Sequence, residues 1–388
     1  MNVLQSCGVW LTPTMTWLYQ QIRNLPQCIN SSVVCDTTRN LEQFDTGRVF
    51  ALQTRYPIRF SWERALRRIG IHNHLPCKAE IVRELECQLL HSHFGDHAWW
   101  DIEIARATRV RHFATFYGYD VNKLPTGSAM WASRYRELFQ SIEKVLCEGP
   151  YMASRIRNLG CSGDKVVVHR LGVPVQDIEF QERPWWLRSE LRVLLAGSFF
   201  VKKGITVALE ALGTLKAEIP FLVTVIGDSN GSPSAEAEKA RIMEVIRRYD
   251  LAGKVGLLGI QTYSELVQTA YSQDVFIAAS RTAPDGDTEG GAPVILLDMA
   301  ASGIPLISTR HCDIPEIVRH GITGTLAEEN SSESLAEAIR WFSRNRSEAA
   351  QMARAARALV EREFDARIQS CKLARLYLGE VLEKSVEN

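Results

Sequence analysis

The sequence lacks an excess of either charge: 45 Lys and Arg stand against 45 Asp and Glu in 388 residues, for a formal net charge of zero. A chain with no basic surplus is not committed to nucleic acid as a partner. It also lacks any run of about 18 uncharged apolar residues, so no transmembrane helix is predicted. Residues 1–18 have no basic segment ahead of an apolar core, so no secretory signal is predicted.

The cysteines show no pattern typical of disulfides or of a zinc site. Nine cysteines are scattered along the chain with no CxxC pair. Their odd number and irregular spacing argue against a disulfide scaffold or a zinc ribbon and favour reduced thiols. We therefore expect a cytoplasmic protein. Its length exceeds the roughly 250–300 residues at which one core usually divides, so two domains are expected.

The two halves of the chain differ in charge and tryptophan content. Residues 1–190 carry 23 Lys and Arg against 19 Asp and Glu, whereas residues 191–388 carry 22 against 26. Eight of the nine tryptophans lie in the first half. The turn-prone stretch 184–189 separates the halves, which predicts one domain over residues 1–188 and a second that begins at residue 189.

The second half alternates short apolar runs with helical stretches. The apolar runs cover residues 193–196, 221–226, 255–258, 275–279 and 305–308. This alternation predicts an α/β domain whose parallel sheet is covered on both faces. Such a sheet binds ligands beyond the carboxyl ends of its strands. The first half repeats the pattern less regularly, and the tail 347–383 is predicted to be almost continuously helical.

The segment GSFFVKKG, residues 197–204, follows a predicted strand and opens a helix. Backbone amides at a helix start, together with a lysine, form a natural site for an anionic phosphate. The glycine spacing matches neither a Walker A loop nor GxGxxG, and the missing fingerprint argues against a dinucleotide oxidoreductase. An ordinary turn in which Lys202 and Lys203 are solvated is the alternative.

A second loop, residues 285–293, has the sequence DGDTEGGAP and precedes an apolar helix. Pro293 suits the first helical position, and Gly290 and Gly291 would let a ligand approach the helix-start amides. Asp298 interrupts the apolar helix, and a carboxylate in that setting needs a hydrogen-bonding partner. Ligand hydroxyls or another protein group would serve.

The motifs together resemble glycosyltransferase family four. The similar segments are GSFFVKKG at 197–204, GDSNG at 227–231, residues 285–309, DIPEIV at 313–318 and GITG at 321–324. Upstream, the resemblance continues through HSHFG at 91–95, TFYGYD at 115–120, EGP at 148–150 and LGV at 171–173. It covers residues 90–385 in the family's order.

The resemblance implies a GT-B fold: two Rossmann-like lobes with a cleft between them. The C-terminal lobe, residues 189–366, would hold a nucleotide-sugar such as a UDP- or GDP-sugar, and a helix over 367–388 would return to the first lobe. The implied enzyme is a retaining, metal-independent glycosyltransferase with no cofactor, of the type that builds exopolysaccharide or lipopolysaccharide. Its acceptor would be a saccharide or a polyprenyl-diphosphate-linked saccharide in the N-terminal lobe.

The resemblance also implies site residues. The catalytic set is Lys203, Glu289, Tyr117 and Asp120. Lys203 would neutralise the diphosphate and Glu289 would orient the donor sugar. The donor-binding set is Gly197, Ser198, Lys202, Gly259, Gly290, Gly291, Ala292, Pro293 and Asp298, with Asp298 on the ribose hydroxyls. The acceptor-side set is Trp17, His93 and Gly95.

Three positions depart from the family pattern. Tyr117 stands where the family usually has His, and a neutral phenol can hydrogen-bond to a sugar but is a poor proton shuttle. Ser198 replaces a phosphate-binding Arg found in many relatives. Eight residues rather than seven separate Glu289 from Asp298, and the second acid is normally Glu. These departures keep open a non-catalytic relative that binds a sugar nucleotide or a partner enzyme.

Two clusters have some of the residues of a metal site, but no metal is predicted at either. Asp285 and Asp287 flank a glycine in a loop, where turn chemistry is the more common role. His91 and His93, with His97 nearby, have a spacing that resembles the family's cleft-lining segment. A structural histidine is the alternative for His93.

Residues 55–69 form a basic stretch with five Arg against one Glu and interleaved aromatic and aliphatic residues. Such a segment can dock on anionic lipid or reach a diphosphate-linked acceptor. The expected location is then peripheral, at the inner face of the plasma membrane. An amphipathic helix packed on the core with its charges in solvent is the alternative.

Overall fold

The structure is a computed structural model that describes residues 1–12, 15–42, 44, 47–69, 75–183 and 189–380. It divides into two compact units: an N-terminal unit, Met1–Gly172 with Ala366–Asn388, and a C-terminal unit, Val173–Asp365. The stretch 184–188, beside the predicted boundary, lies outside the described residues. The division falls earlier than predicted because Val173, Val175 and Ile178 already pack in the apolar core of the C-terminal unit.

The N-terminal unit contains a seven-stranded parallel sheet with the order β3-β2-β1-β4-β5-β6-β7. Its strands are β1 (Asn2–Trp10), β2 (Asn30–Thr38), β3 (Val49–Ala51), β4 (Leu89–His93), β5 (Arg111–Thr115), β6 (Lys144–Cys147) and β7 (Val166–Val168). Its first helices are α1 (Thr16–Arg23), α2 (Leu52–Arg55), α3 (Pro57–Arg68), α4 (Pro76–Glu84), α5 (Gly95–Thr108), α6 (Ala129–Ser141) and α7 (Pro150–Asn158).

The C-terminal unit contains a six-stranded parallel sheet with the order β10-β9-β8-β11-β12-β13. Its strands are β8 (Leu191–Ala196), β9 (Phe221–Ile226), β10 (Val255–Leu257), β11 (Val275–Ala278), β12 (Leu306–Thr309) and β13 (Thr325–Ala327). Its helices are α8 (Ile205–Thr214), α9 (Pro233–Arg248), α10 (Tyr263–Tyr271), α11 (Val294–Ser302), α12 (Ile314–Ile317), α13 (Ser332–Arg344) and α14 (Arg346–Glu363).

Both faces of the C-terminal sheet are covered, as the apolar runs predict. Along β8, Val193 and Leu195 pack into a core that includes α8, α9 and α13. Leu194, which points to the other face, packs with α10, α11 and α14. This alternation follows from the two-residue period of a strand, and it fixes the strand ends that carry the site.

Among the described residues the tail is almost continuously helical, as the sequence predicts, in two helices with a short break between them. After α14 the chain breaks at Phe364 and Asp365, and α15 (Ala366–Leu378) follows. Phe364 is buried in the core of the C-terminal unit, whereas Leu373 and Tyr377 of α15 are buried against strands of the N-terminal unit. The break therefore lies where the chain leaves one unit for the other.

In each sheet the strand order reverses direction at one place: between β1 and β4 in the first sheet, and between β8 and β11 in the second. Ligands of parallel sheets bind beyond the carboxyl ends of the strands at such a switch point. The segments 197–203 and 279–293 follow β8 and β11, and His93 ends β4. The topology thus places predicted site residues at the switch point of each unit. No helix among the described residues is long and apolar enough to cross a membrane.

Candidate active site

Lys203 is held beside the end of β11 by close backbone packing. It ends a single 3-10 turn, Val201–Lys203, and is followed by Gly204 with φ of +63°. A Cβ on Gly204 would lie 1.7 Å from the carbonyl oxygen of Ala279. Only glycine allows this approach, so the turn after β8 is brought against the loop that follows β11.

Lys203 and Glu289 form a partly buried ion pair. The Lys203 Nζ donates to Oε2 of Glu289 at 2.8 Å, and the Ser280 hydroxyl donates to Oε1 at 2.9 Å. Burial alone would raise the pKa of Glu289, but the charges of Lys203 and Lys202 outweigh it and lower that pKa. Glu289 is therefore ionised, and the charge of Lys203 is balanced before any ligand binds.

The backbone of Glu289 is fixed by a buried histidine. The Glu289 amide donates to Nε2 of His311 at 3.2 Å, and Nδ1 of His311 lies 2.8 Å from Oε2 of Glu329. Oε1 of Glu329 accepts from the Thr282 amide at 2.6 Å. Burial would raise the pKa of Glu329, but the hydrogen bonds from His311 and Thr282 lower it overall. His311 and Glu329 together brace the loop that carries Glu289.

Lys202 and the Asp-Gly-Asp loop form a separate contact. The Lys202 Nζ donates to Oδ1 of Asp287 and to the Thr288 carbonyl, each at 3.1 Å. The Asp287 amide donates to Oδ1 of Asp285 at 3.2 Å, which is the turn chemistry that the sequence favours there. Within the described ranges, no three His, Cys, Asp or Glu side chains are grouped as metal ligands.

The predicted glycines lie at the carboxyl edge of the sheet. The Gly197 amide donates to the carbonyl of Ile226 at 2.9 Å, and the Gly227 amide donates to the carbonyl of Gly259 at 2.8 Å. A Cβ on Gly227 would lie 1.9 Å from the Gly197 carbonyl oxygen. Gly197, Ser198 and Gly259 therefore lie along one edge, after β8 and β10.

Helix α11 begins one residue later than predicted. Val294 is the first helical residue, and Pro293 is the N-cap with ψ of 125°, so the expectation that Pro293 occupies the first helical position is wrong. The proline ring restricts φ, which is −57°, but not ψ. Because ψ is extended at Pro293, the chain becomes helical only at the next residue. Gly290, Gly291 and Ala292 lead into this start.

Asp298 has a protein partner, which is one of the two alternatives that the sequence left open. The Tyr263 hydroxyl donates to its Oδ1 at 2.8 Å. Burial raises the pKa of Asp298 to about 7. Asp298 does not contact Glu289 in the structure, whereas Lys203, Ser280, Glu289 and Pro293 line one small cavity.

In the N-terminal unit, the Asp120 carboxylate hydrogen-bonds to the backbone amide of Gly95. Asp120 accepts from the amides of Gly95 at 2.8 Å and of Tyr117 and Gly118 at 3.0 Å each. Burial outweighs these bonds and raises its pKa to about 7. A Cβ on Gly95 would lie 2.1 Å from the ring of Phe116. Asp120 thus ties the loop after β5 to the first turn of α5.

Trp17, His93 and Tyr117 lie close together in the N-terminal unit. The rings of Trp17 and Tyr117 lie 4.2 Å apart, and the Tyr117 hydroxyl lies 2.6 Å from Nδ1 of His93. Burial, with the nearby His97, lowers the pKa of His93 to about 3, so the imidazole is neutral. Burial also raises the pKa of Tyr117 well above its usual value.

The prediction from the sequence missed several residues that contact these sites. Gln5 hydrogen-bonds to His93, Thr115 and Tyr377 hydrogen-bond to His91, and His311 and Glu329 brace the loop of Glu289. Gln5 and Thr115 are polar residues inside buried strands, a signal that could have singled them out. The other three lie outside the predicted ligand motifs, and only the tertiary contacts identify them.

Comparison with known proteins matches one part of the chain to a family. Residues 179–359 match the family described as glycosyl transferases group 1. The chain contains a group 1 glycosyltransferase domain. The match lies within the C-terminal unit.

The chain is 32% identical over 251 residues to the amylovoran biosynthesis glycosyltransferase AmsK of Erwinia amylovora, a match that covers 64% of this chain and 58% of the relative. It is 30% identical over 264 residues to WcaL of Escherichia coli strain K12, named for colanic acid biosynthesis, across 67% of this chain and 62% of that one. The matches therefore span less than two thirds of either relative.

The fold agrees with that of a solved structure. The crystal structure of Anabaena Alr3699/HepE in complex with UDP and glucose superposes with a TM-score of 0.79, covers 98% of this chain and 100% of its own, and is 17% identical. At this identity the similarity shows the fold. The expected GT-B fold, with two Rossmann-like parallel sheets, is confirmed.

Proposed function

We propose that this protein is a retaining glycosyltransferase that moves a sugar from a UDP- or GDP-sugar to a glycan or lipid-linked saccharide in the synthesis of cell-surface polysaccharide. The observation that carries the proposal is the Lys203–Glu289 pair, 2.8 Å apart at the switch point of a group 1 domain. A cation and an acid placed together there suit a diphosphate and the sugar attached to it.

In the proposed donor complex, Lys203 turns from Glu289 to the diphosphate. Its charge then stabilises the nucleotide as the bond from the sugar to the phosphate breaks, which lowers the barrier more than it strengthens ground-state binding. Glu289 is released to orient the sugar hydroxyls, and Asp298 binds the ribose. The amides from Gly290 to the start of α11 add a favourable dipole.

Retention in this proposal proceeds by front-face attack. The bond from sugar C1 to the phosphate oxygen breaks, the bond from C1 to the acceptor oxygen forms on the same face, and the acceptor proton passes to the departing phosphate oxygen. Asp120 supports this route over a covalent one because its oxygens accept three backbone amides. A glycosyl adduct on Glu289 or Asp120, detected by mass spectrometry, would contradict front-face attack.

The first experiment is a thermal-shift screen of the full chain against UDP-, GDP- and ADP-sugars. A raised melting temperature with one class identifies the donor. Transfer and hydrolysis assays with that donor follow, in the presence and absence of EDTA, and we expect turnover that EDTA leaves unchanged. Donor binding without turnover on any acceptor tested would favour the non-catalytic alternative, and strong inhibition by EDTA would contradict metal independence.

We also propose that helix α3 contacts an anionic membrane. Ile58, Trp62, Ala65 and Ile69 recur at helical spacing and form an apolar ridge that faces solvent. The exposed fractions of Ile58, Trp62 and Ile69 are 75%, 67% and 70%. Opposite this ridge, Phe60 and Glu63 are buried, so the ridge points away from the core.

The charges beside the apolar ridge favour anionic lipid over another apolar surface. Arg64 and Arg68 lie four residues apart along one flank of the ridge. Arg59, on the other flank, binds Glu63 and Glu80 at 2.7 Å each. An apolar ridge flanked by arginine is the arrangement with which interfacial helices enter the headgroup layer.

Flotation with vesicles tests this contact. We expect the protein to float with phosphatidylcholine vesicles that contain phosphatidylglycerol and to remain at the bottom with phosphatidylcholine alone. Trp62→Ser and Arg64→Gln/Arg68→Gln should each reduce flotation. Ile322→Ser, at a residue that is 61% exposed in the C-terminal unit, is the matched control and should float like the wild type. Equal sedimentation with both vesicles would contradict the membrane proposal.

A further inference from the structure

Helix α5 is fixed against strand β1 by a buried hydrogen bond. The Ser6 hydroxyl donates to Oδ2 of Asp101 at 2.5 Å. Residues two apart in a strand share a face, as do residues four apart in a helix. His97, one turn before Asp101, therefore lies over Gly8, two residues after Ser6. This is the carboxyl end of β1, beside the switch point between β1 and β4, where ligands of a parallel sheet bind.

Gly8 makes room for the His97 ring. A Cβ on Gly8 would lie 2.6 Å from Nε2 and 2.8 Å from Cε1 of His97. The imidazole thus fills the space that a side chain at position 8 would occupy. The backbone of Gly8 is outside the left-handed region, so the glycine is required here by the space for His97 and not by its own conformation.

The other polar side chains at this switch point are held by the protein itself. His93 uses both ring nitrogens: Nδ1 lies 2.6 Å from the Tyr117 hydroxyl, and Nε2 lies 3.0 Å from Oε1 of Gln5. Asp120 accepts from three backbone amides. These groups build the loops around the switch point and have little capacity left for a ligand.

His97 differs from these groups in its contacts. It is half-buried, and within the part of the chain that the structure describes neither of its ring nitrogens has a hydrogen bond or an ion pair. A neutral imidazole has one N–H donor and one acceptor nitrogen, and a sugar hydroxyl likewise donates and accepts. A saccharide hydroxyl could therefore bond to either nitrogen of His97.

The charges around His97 favour a hydroxyl over a phosphate. Asp96 precedes His97 in the first turn of α5 and is half-buried. The Gly95 amide of the same turn donates to the Asp120 carboxylate at 2.8 Å. Two carboxylates close to His97 repel an anionic group, whereas an uncharged hydroxyl carries no such cost.

We propose that His97 is an acceptor-binding residue of the N-terminal unit, which hydrogen-bonds to a hydroxyl of the acceptor saccharide, and that Gly8 positions its ring. The inference deepens the proposed function and rests on it for the identity of the ligand. The placement of the ring against Gly8 is independent of that function.

The first test is His97→Ala, which removes the imidazole and keeps a strong helix former. We expect KM for the acceptor to rise by about tenfold, the effect of one lost hydrogen bond, with kcat and donor affinity little changed. His97→Asn and His97→Gln each keep an amide near the place of one ring nitrogen, and at least one should recover part of the loss. Arg106→Ala, at an exposed position near the other end of α5, is the matched control. An unchanged KM in His97→Ala, or recovery in neither amide variant, would overturn the proposal.

Gly8→Ala displaces the ring without changing its chemistry. The added methyl takes the place of the far end of the His97 side chain, which can turn away, so we expect a melting temperature close to that of the wild type. KM for the acceptor should rise as in His97→Ala, and the double variant Gly8→Ala/His97→Ala should be no worse than His97→Ala alone. Effects that multiply would show that Gly8 acts independently of His97 and would overturn its positioning role.

Nitrogen-15 NMR of labelled histidines separates this inference from the proposed function. The acceptor that supports transfer, added without donor, should shift the His97 signals, which are assigned by their loss in His97→Ala. The signals of buried His112, whose Nε2 lies 2.9 Å from the Ser92 hydroxyl, should stay in place. Transfer by the wild type with the His97 signals unmoved would overturn the inference and leave the proposed function intact.

If the wild type transfers no sugar, the proposed function fails and the same titration uses free glucose, galactose and mannose. A shift confined to His97 with one of these sugars would support a sugar-binding role for this residue. No shift with any of them would overturn the inference as well.

Discussion

Nε2 of His311 accepts a hydrogen bond from the backbone amide of Glu289 at 3.2 Å. An amide can only donate, so this nitrogen carries no proton, and the proton of the neutral ring lies on Nδ1, where Glu329 accepts it at 2.8 Å. The two bonds join the loop after β11 to the chain that follows β13. Glu289 is therefore held from both ends: its side chain by Lys203 and Ser280, and its backbone by His311.

His311→Asn separates these two bonds. The shorter side chain can still donate to Glu329 from the place of Nδ1, but it no longer reaches the Glu289 amide. We expect kcat at saturating donor to fall by about tenfold with a smaller change in UDP affinity. Glu328→Gln is the control, since Glu328 pairs with Arg310 at the exposed positions next to Glu329 and His311. A variant with full kcat would show that the His311 bond is dispensable.

Lys203→Ala removes the cation proposed to stabilise the leaving nucleotide. We expect kcat to fall by about 10²–10³-fold, as for other preorganised groups that stabilise developing charge, with a smaller effect on donor affinity. Lys216→Ala is the matched control, because Lys216 pairs with exposed Asp250 in the same unit. Steady-state kinetics with the donor found in the thermal-shift screen provide the measurement. A loss of affinity with kcat unchanged would place Lys203 in ground-state binding alone.

Asp298→Asn should change how stability depends on pH. The pKa of Asp298 is about 7 in the folded protein against 3.8 for the unperturbed group, so the folded state binds the proton more tightly. The buried carboxylate therefore destabilises the wild type progressively from about pH 4 to pH 7, by about 1.4 kcal/mol for each pKa unit.

The free energy of unfolding of Asp298→Asn, measured relative to the wild type by urea denaturation, should accordingly rise with pH through this window and level off above pH 7. Asp250→Asn is the comparison: hydrogen bonding to Lys216 lowers the pKa of exposed Asp250, so its difference from the wild type should be flat across the same range above pH 5. A flat difference for Asp298→Asn would contradict the raised pKa.

Gly204→Ala should prevent or severely weaken folding of the C-terminal unit. Gly204 has φ of +63°, and its added Cβ would overlap the Ala279 carbonyl at 1.7 Å. Gly321 has a similar φ of +75° with nothing within 4 Å of the added Cβ, so Gly321→Ala carries the backbone strain alone, about 1–2 kcal/mol. Melting temperatures compare the two, and equal losses would contradict the steric argument.

The sheets were predictable from the sequence because buried parallel strands are continuous apolar runs. The run 221–226 coincides with β9, and the run 255–258 contains β10. The strands β3 and β13, of three residues each, were missed. Phe364 and Asp365, between α14 and α15, carry no helix-stop signal such as Gly or Pro, and only the resemblance implied a separate helix from residue 367.

The part of the site that follows the strand ends was predictable from the sequence. Lys203 and Glu289 follow two strands that meet at the switch point, so the sequence could place them near each other. Their direct pairing, between residues 86 apart, and the His91–Tyr377 contact, between residues 286 apart, depend on how distant segments approach in space. No periodic pattern encodes such partners, and for that reason Tyr377 and His311 emerge only from the structure.

The return of α15 to the first sheet sets the order in which the chain can be completed during synthesis. The C-terminal unit, Val173–Asp365, is continuous and has all its strands once residue 365 has emerged from the ribosome. The N-terminal unit is made first but lacks Leu373, Ala374 and Tyr377 of its core until the last helix emerges. The N-terminal unit is therefore completed after the C-terminal unit, and a truncation at residue 365 would leave an exposed apolar face on the N-terminal unit.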